Sequence, residues 1–254
     1  MFPLTKSRLR QLFGTRPTES GSRQPSLHTD PADRLYVEFI GPPGVGKTTT
    51  FDTVVKNNRS LLKYVDFRRT VNLQPTEVNT EFDDTYQALA SHKLDQISKA
   101  DYSALDKLKV LAYFHRVVEG DRVVMLHNRG YTVISDEGLL HNFGKALEQE
   151  ILHGRIPSSF LARRVVINCH APAERIAEQI LKRHRETGNL LPQHKNKTVQ
   201  QLALDQEEIC QHYWKFRDLL LRSGMPVLDI DTSANTDLNV KDILEFISNP
   251  RMRS

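Results

Sequence analysis

Between an apolar run, LYVEFI (35–40), and a stretch patterned as a helix, residues 41–48 read GPPGVGKT. Three glycines, two prolines and a lysine in eight residues do not serve a packed core, because glycine brings no side chain and costs backbone entropy when ordered. The segment fits G-x-x-x-x-G-K-[ST], a loop that cradles phosphate between a strand and a helix. On this reading Gly41, Gly44 and Gly46 let the backbone turn and approach an anion, with Pro42, Pro43 and Val45 completing the loop. The loop N–H groups and the positive end of the following helix converge on the same point. Lys47 reaches the terminal phosphates, Thr48 offers a hydroxyl to Mg²⁺, and Thr49 stands beside it at the nucleotide. The loop therefore predicts a site for nucleoside triphosphate, ATP, with Mg²⁺.

The remaining pattern predicts an α/β fold. Helices are expected over Thr48–Lys56, in two stretches within 81–129, over LLHNFGKALEQEIL, from APAERIAEQILKRHRE, over 198–223 and over LNVKDILEFIS. Strand candidates are LYVEFI, LLKYVDF (61–67), YTVISDEG, RRVVINCH and MPVLDID. The second helix within 81–129 carries Leu108, Leu111, Ala112 and Val118 at helical intervals and is expected to stop at Gly130. Alternating strands and helices imply a mostly parallel sheet covered on both faces.

Residues 1–33 are rich in Ser, Pro, Thr and Arg and are read as a flexible basic tail. Within it, PLTKSRLRQLF has the makings of a short basic amphipathic helix, a candidate contact with a membrane surface or a partner protein. One domain is expected over 34–250, with a polar lid segment at about 183–198. A net charge of +4 over 254 residues is mild, so no nucleic-acid partner is expected. No apolar stretch approaches the roughly 20 residues of a membrane span, and no secretory signal is read at the N-terminus. Cys169 and Cys210 are expected as buried or half-buried free thiols, which fits a cytoplasmic setting. No Cys/His spacing matches a zinc site.

Three further features bear on chemistry. TVISDEG is an apolar strand ending in Asp136, the position from which a carboxylate would orient Mg²⁺ opposite Thr48. Arg183 and Arg185 close a helix and enter the polar segment, where they are candidates to neutralise charge on a transferring phosphoryl group. DFRRT places Asp66, Arg68 and Arg69 after the second strand, at the edge where open α/β sheets bind ligands. The ten histidines form no cluster, and His115 and His141 are read as structural.

On these residues the chain resembles the P-loop nucleotide kinases, most closely the thymidylate kinase-like group. The resemblance covers about 34–248, through the glycine loop, LAYFHRVVEGDRVVMLHNRGYTVISDEG, VVINCHAPAERIAEQILKRHRE and PVLDIDTSANTDLNVKDILEFI. It implies five parallel strands in the order 2-3-1-4-5. It implies an acceptor-binding role for Arg116, lid roles for Arg183 and Arg185, and a base-contacting loop from Ser233 to Asn235. The acceptor segments differ from that group: DFRRTVNL stands where thymidylate kinases carry Arg-Glu-Pro-Gly-Gly, and DEG where they carry Asp-Arg-Tyr. D-F-R at 66–68 resembles the Glu-x-Arg of deoxynucleoside kinases, whose acidic residue takes a proton from the acceptor hydroxyl. Asp66 and Glu137 are both candidates for that base.

The expected activity is transfer of the γ-phosphate of ATP to a small-molecule acceptor: a nucleotide, a nucleoside or a sugar. Homodimerisation is compatible with this reading. The alternative is a nucleotide-dependent switch or ATPase acting through a protein partner. A guanine-specific Asn-Lys-x-Asp signature is lacking, since NKT at 196–198 has no aspartate following it.

Overall fold

The structure, a computed structural model, describes residues 35–70, 82–127, 131–188, 194 and 197–249, with side chains described for all but 68–70, 126 and 127. The expected tail over 1–33, the helix stop at Gly130 and residues 189–193, 195 and 196 of the segment at 183–198 lie outside these residues.

The sheet is built outward from β1 (Tyr36–Ile40), which is buried along its whole length. In chain order come α1 (Lys47–Asn57), β2 (Leu61–Lys63), α2 (Tyr64–Thr70), α3 (Asp83–Lys99), α4 (Ala104–His127), β3 (Thr132–Ser135) and α5 (Leu139–Leu152). There follow α6 (Ser158–Leu161), β4 (Arg164–His170), α7 (Ala173–Thr187), α8 (Val199–Arg222), β5 (Val227–Asp231) and α9 (Thr236–Ser248). The strands pair in parallel in the order β2-β3-β1-β4-β5. This is the five-stranded order expected of the P-loop kinase fold.

Each face of the sheet buries a separate core, as alternation along a strand requires. Val37, Phe39, Ile134, Val165, Ile167 and Ile230 pack beneath α1, α7 and α9 through Phe51, Val54, Ile176, Ile180, Val240, Ile243 and Phe246. On the other face Ile40, Val166 and Val227 meet Leu89, Leu139, Leu140, Phe143, Leu147, Phe216 and Leu220. In α5 the apolar set Leu139, Leu140, Phe143, Ala146 and Leu147 recurs at helical spacing and is buried, which is why this segment becomes a helix on the sheet. Helix α8 begins with a reciprocal capping box between Thr198 and Gln201, and α9 is capped by Asn235. Cys169 is buried and Cys210 half-buried, both as free thiols. Among the described residues, no helix is long and apolar enough to cross a membrane.

Two expectations are corrected. The second strand ends at Lys63 rather than Phe67, and the chain turns directly into α2. Tyr64 and Phe67, three residues apart, both face a small core formed by Tyr36, Val123, Val124 and Val133. That spacing suits one face of a helix and would point to opposite faces of a strand. Asp66 therefore stands in the first turn of α2, not at a strand end. In α4 the helix forms, but Leu108 is 63% exposed and Ala112 is also exposed. The buried part of α4 is instead its C-terminal third, Asp121 to Met125 with Arg122 half-exposed. The short helix α6 was not anticipated from sequence.

Candidate active site

The glycine loop joins β1 to α1 at the carboxyl edge of the sheet. Gly46, the N-cap of α1, has φ 99° and ψ 11°, a left-handed conformation that suits glycine. Gly41 has φ 137°, and a Cβ there would stand 2.2 Å from the carbonyl oxygen of Cys169 in β4. Glycine at 41 thus serves first to let the loop close against the neighbouring strand. Ile180 of α7 also packs closely on Gly44. Lys47, only 7% exposed, donates from Nζ to the carbonyl oxygens of Gly41 (2.8 Å) and Pro42 (2.9 Å). Its ammonium therefore lies in the concavity of its own loop.

The hydroxyl of Thr48 donates to Oδ2 of Asp136 at 3.1 Å. Thr48 and Thr49 are both exposed in the first turn of α1. Asp136 and Glu137 are half-buried just beyond β3. A hydroxyl and a carboxylate at this separation form the hard oxygen pair that Mg²⁺ takes from a protein when phosphate and water supply the rest. The fit for a nucleoside triphosphate with Mg²⁺ is carried by three observations: the left-handed glycine turn at a helix start, the inward Lys47 ammonium and the Thr48–Asp136 pair.

Glu137 is the centre of a second polar group. The hydroxyl of Tyr113 of α4 stands 3.4 Å from Glu137 Oε2 and 3.1 Å from Asn142 Oδ1, with one proton to donate between the two acceptors. Asn142 of α5 donates from Nδ2 to the carbonyl oxygens of Glu137 (3.0 Å) and Gly138 (2.9 Å). The rings of His141 and Tyr213 stack 6.0 Å apart, with 3.1 Å between the Tyr213 hydroxyl and His141 Nδ1. Burial, and then the charge of Glu137, push the Tyr213 phenol up from its ordinary pKa. Tyr113, Asn142 and Tyr213 were not singled out from sequence. They sit on three separate helices; Asn142 is close to Glu137 in the chain, whereas only the fold brings Tyr113 and Tyr213 to this group.

The other expected residues are placed as follows. Arg183 and Arg185 are exposed on the last turns of α7, one turn beyond Ile180 and its contact with the glycine loop. Arg116 of α4 donates from Nε to Ala112 on its own helix. Arg68 and Arg69 lie in α2, their side chains outside the description. Ser233 hydrogen-bonds Asp231 Oδ1 through both its N–H and its hydroxyl. Asn235 Oδ1 accepts from the N–H groups of Asp237 and Leu238 and is held as a helix cap. Between β5 and Ser233, sequence reasoning passed over Thr232, whose Oγ1 lies 2.5 Å from Val45 O and 3.1 Å from His170 O. Thr232 ties the loop after β5 to the glycine loop.

Sequence reasoning also missed a buried ionic group behind the site. Glu38, Arg164 and Asp121 are each at most 1% exposed. Arg164 donates to Glu38 Oε1 (2.6 Å) and to both carboxylate oxygens of Asp121 (2.8 and 2.5 Å). Tyr86 donates to Asp121 Oδ2 at 2.7 Å. Burial pushes the Glu38 carboxyl up to about 7 against the opposing pull of Arg164. An acidic residue in the middle of the otherwise apolar YVEFI was the available signal.

No family model matches the chain, and no curated protein matches it in sequence. Among solved structures it is similar to deoxyadenosine kinase from M. mycoides with bound dCTP, at 13% identity over 83% of this chain and 97% of that one, with a TM-score of 0.44. The same kinase with bound dATP gives 14% identity over 85% and 100%, TM-score 0.44. Shikimate kinase from Bacteroides thetaiotaomicron gives 11% identity over 84% and 98%, TM-score 0.43.

Proposed function

We propose that the chain is a phosphotransferase that takes the γ-phosphoryl group of ATP, bound with Mg²⁺, to a small-molecule acceptor. The observation that carries this reading is the hydrogen bond from Thr48 to Asp136 with Glu137 next in the chain. It sets a hydroxyl from the start of α1 against a carboxylate just beyond β3, with a second carboxylate next to it, an arrangement that supports a metal-binding role.

The chain's own groups divide the work. The N–H groups of Gly41–Thr48 and the start of α1 hold the phosphate tail, and Lys47 balances its charge. Thr48 and Asp136 would hold Mg²⁺, which when bound neutralises charge on the β- and γ-phosphoryl oxygens. Arg183 and Arg185 would meet the transferring group from α7. Ser233 and Asn235, on the loop tied to Val45 by Thr232, would flank the nucleotide base. Arg116, Arg68 and Arg69 would face the acceptor.

Of the two candidate bases, Glu137 is the better supported. It adjoins Asp136, whereas Asp66 has moved onto α2. A carboxylate there suits an acceptor hydroxyl, whose proton must leave as the O–P bond forms. Tyr113 is within hydrogen-bond reach of that carboxylate and Asn142 holds the main chain beside it; Tyr113 and Tyr213 would hydrogen-bond the acceptor. This favours a hydroxyl acceptor over a nucleotide monophosphate. The thymidylate kinase-like grouping rests on the quoted sequence passages.

An acceptor screen with γ-labelled ATP and Mg²⁺ tests the reading. Label is expected on a hydroxyl-bearing acceptor, with little ATP consumed in its absence. ATP hydrolysis indifferent to every nucleoside, sugar and nucleotide offered would contradict it.

A further inference from the structure

A carboxylate at the centre of the middle strand of a buried sheet calls for a reason. Glu38 pairs in register with Ser135 of β3 and Val166 of β4 and is completely buried. Burying charges costs desolvation, and apolar replacements of buried ion clusters are often equally stable. Stability alone therefore does not account for Glu38. Its two oxygens point in different directions. Oε1 accepts from Arg164, within the ionic group. Oε2 accepts from the main-chain N–H of Leu140 at 2.9 Å.

Leu140 stands in the first turn of α5, immediately after the segment Asp136–Glu137–Gly138. Gly138 is the N-cap of α5 and supplies no side-chain cap, so the carboxylate from β1 satisfies a donor that a local cap would otherwise take. A Cβ at 138 would lie 2.0 Å from Glu38 Oε2. The turn is thus seated directly on the carboxylate. From the other side, Asn142 holds the carbonyl oxygens of Glu137 and Gly138. Arg164, itself fixed by both oxygens of Asp121, prevents Glu38 from swinging away.

We infer that Glu38 is a positioning residue: it fixes the turn after β3 so that Asp136 meets Thr48 in the geometry a divalent cation requires. The inference rests on the functional reading above. Groups behind metal ligands commonly set their orientation, and losing them weakens metal affinity. Here the connection runs through the backbone of the turn.

Two variants separate positioning from simple stability. Glu38→Gln offers one acceptor and an amide that only donates, while both neighbours, Arg164 and Leu140 N–H, are donors. One contact must be lost. Glu38→Asp keeps the charge for Arg164 but falls one methylene short of spanning to Leu140. The measurement is the affinity for ATP by calorimetry, with Mg²⁺ and with EDTA, on the full chain. Both variants are expected to bind ATP in EDTA like the wild type and to lose about tenfold of the gain that Mg²⁺ confers.

A wild type that gains nothing from Mg²⁺ would overturn the functional reading, and this inference with it. A wild type that gains, beside variants that gain equally, would overturn the role of Glu38 alone. Equal losses with and without Mg²⁺ would show a general disturbance and also overturn it. If Glu38→Gln does not fold, Glu38→Asp carries the test. Failure of both to fold assigns Glu38 to stability and contradicts positioning.

Discussion

The hydroxyl of Thr48 and Oδ2 of Asp136 stand 3.1 Å apart across 88 residues of chain. One opens α1 and the other follows β3, and the parallel pairing of β1 with β3 brings the two ends together. If this pair holds Mg²⁺, Asp136→Asn should keep the hydrogen bond and lose the charge. Turnover is expected to fall by roughly a hundredfold or more with little change in melting temperature. Steady-state rates at saturating Mg²⁺, beside a thermal melt, check this. Unchanged turnover would detach Asp136 from the chemistry.

Glu137 and Asp66 make a second comparison. Removing a general base typically costs about 10²–10⁴ in rate. Glu137→Gln is expected to lower kcat within that range while the KM for ATP stays near the wild-type value. Asp66→Asn, in the first turn of α2, should leave kcat near the wild-type value. The reverse pattern would move the base to α2.

The buried carboxyl of Glu38 predicts a sign for pH dependence. Burial raises it from 4.5 to about 7, so between these values the folded chain holds a proton that the unfolded chain has released. By linkage, stability from this group is complete below about 4.5 and is lost as pH rises through about 7. The stability of the wild type minus that of Glu38→Gln should therefore decline over that interval. Urea unfolding at a series of pH values measures it. A difference that is flat or grows with pH would contradict the raised value.

Gly41 tests the packing of the glycine loop. With a Cβ only 2.2 Å from Cys169 O, Gly41→Ala must push the loop off β4. The expected loss is about 3 kcal/mol or more. Gly154 is also at positive φ, but a methyl added there would meet nothing within 4 Å. Its change to Ala should cost only about 1 kcal/mol. Chemical denaturation of both variants gives the comparison. Equal losses would mean that backbone conformation, rather than the contact with Cys169, sets the requirement at 41.

How much of this was legible in the sequence depends on how local each signal is. The glycine loop, Asp136 after an apolar strand and the alternation of strands and helices are read from neighbours in the chain, and the structure has the loop between β1 and α1 and Asp136 just beyond β3. LLKYVDF misled because β-rich composition outweighed the three-residue spacing of Tyr64 and Phe67, which has meaning only against the small core beneath α4. Tyr113, Asn142 and Tyr213 carry no motif, and Tyr113 and Tyr213 join the group around Glu137 and His141 only through tertiary packing. Thr232 was hidden in a polar run, since its role lies in the carbonyl oxygens of Val45 and His170. Glu38 was visible as an exception within an apolar strand, but its partners Arg164 and Asp121 lie 126 and 83 positions further along the chain.

The central claim is that the loop around Lys47 holds the phosphates of ATP. Equilibrium dialysis of labelled ATP in excess Mg²⁺, against the wild-type chain and Lys47→Ala, tests it most directly. The expected result is saturable binding at one site by the wild type and at least about tenfold weaker binding by the variant, the loss of one charge-assisted contact to phosphate. Equal affinity in the two chains, or no binding by the wild type, would contradict the account.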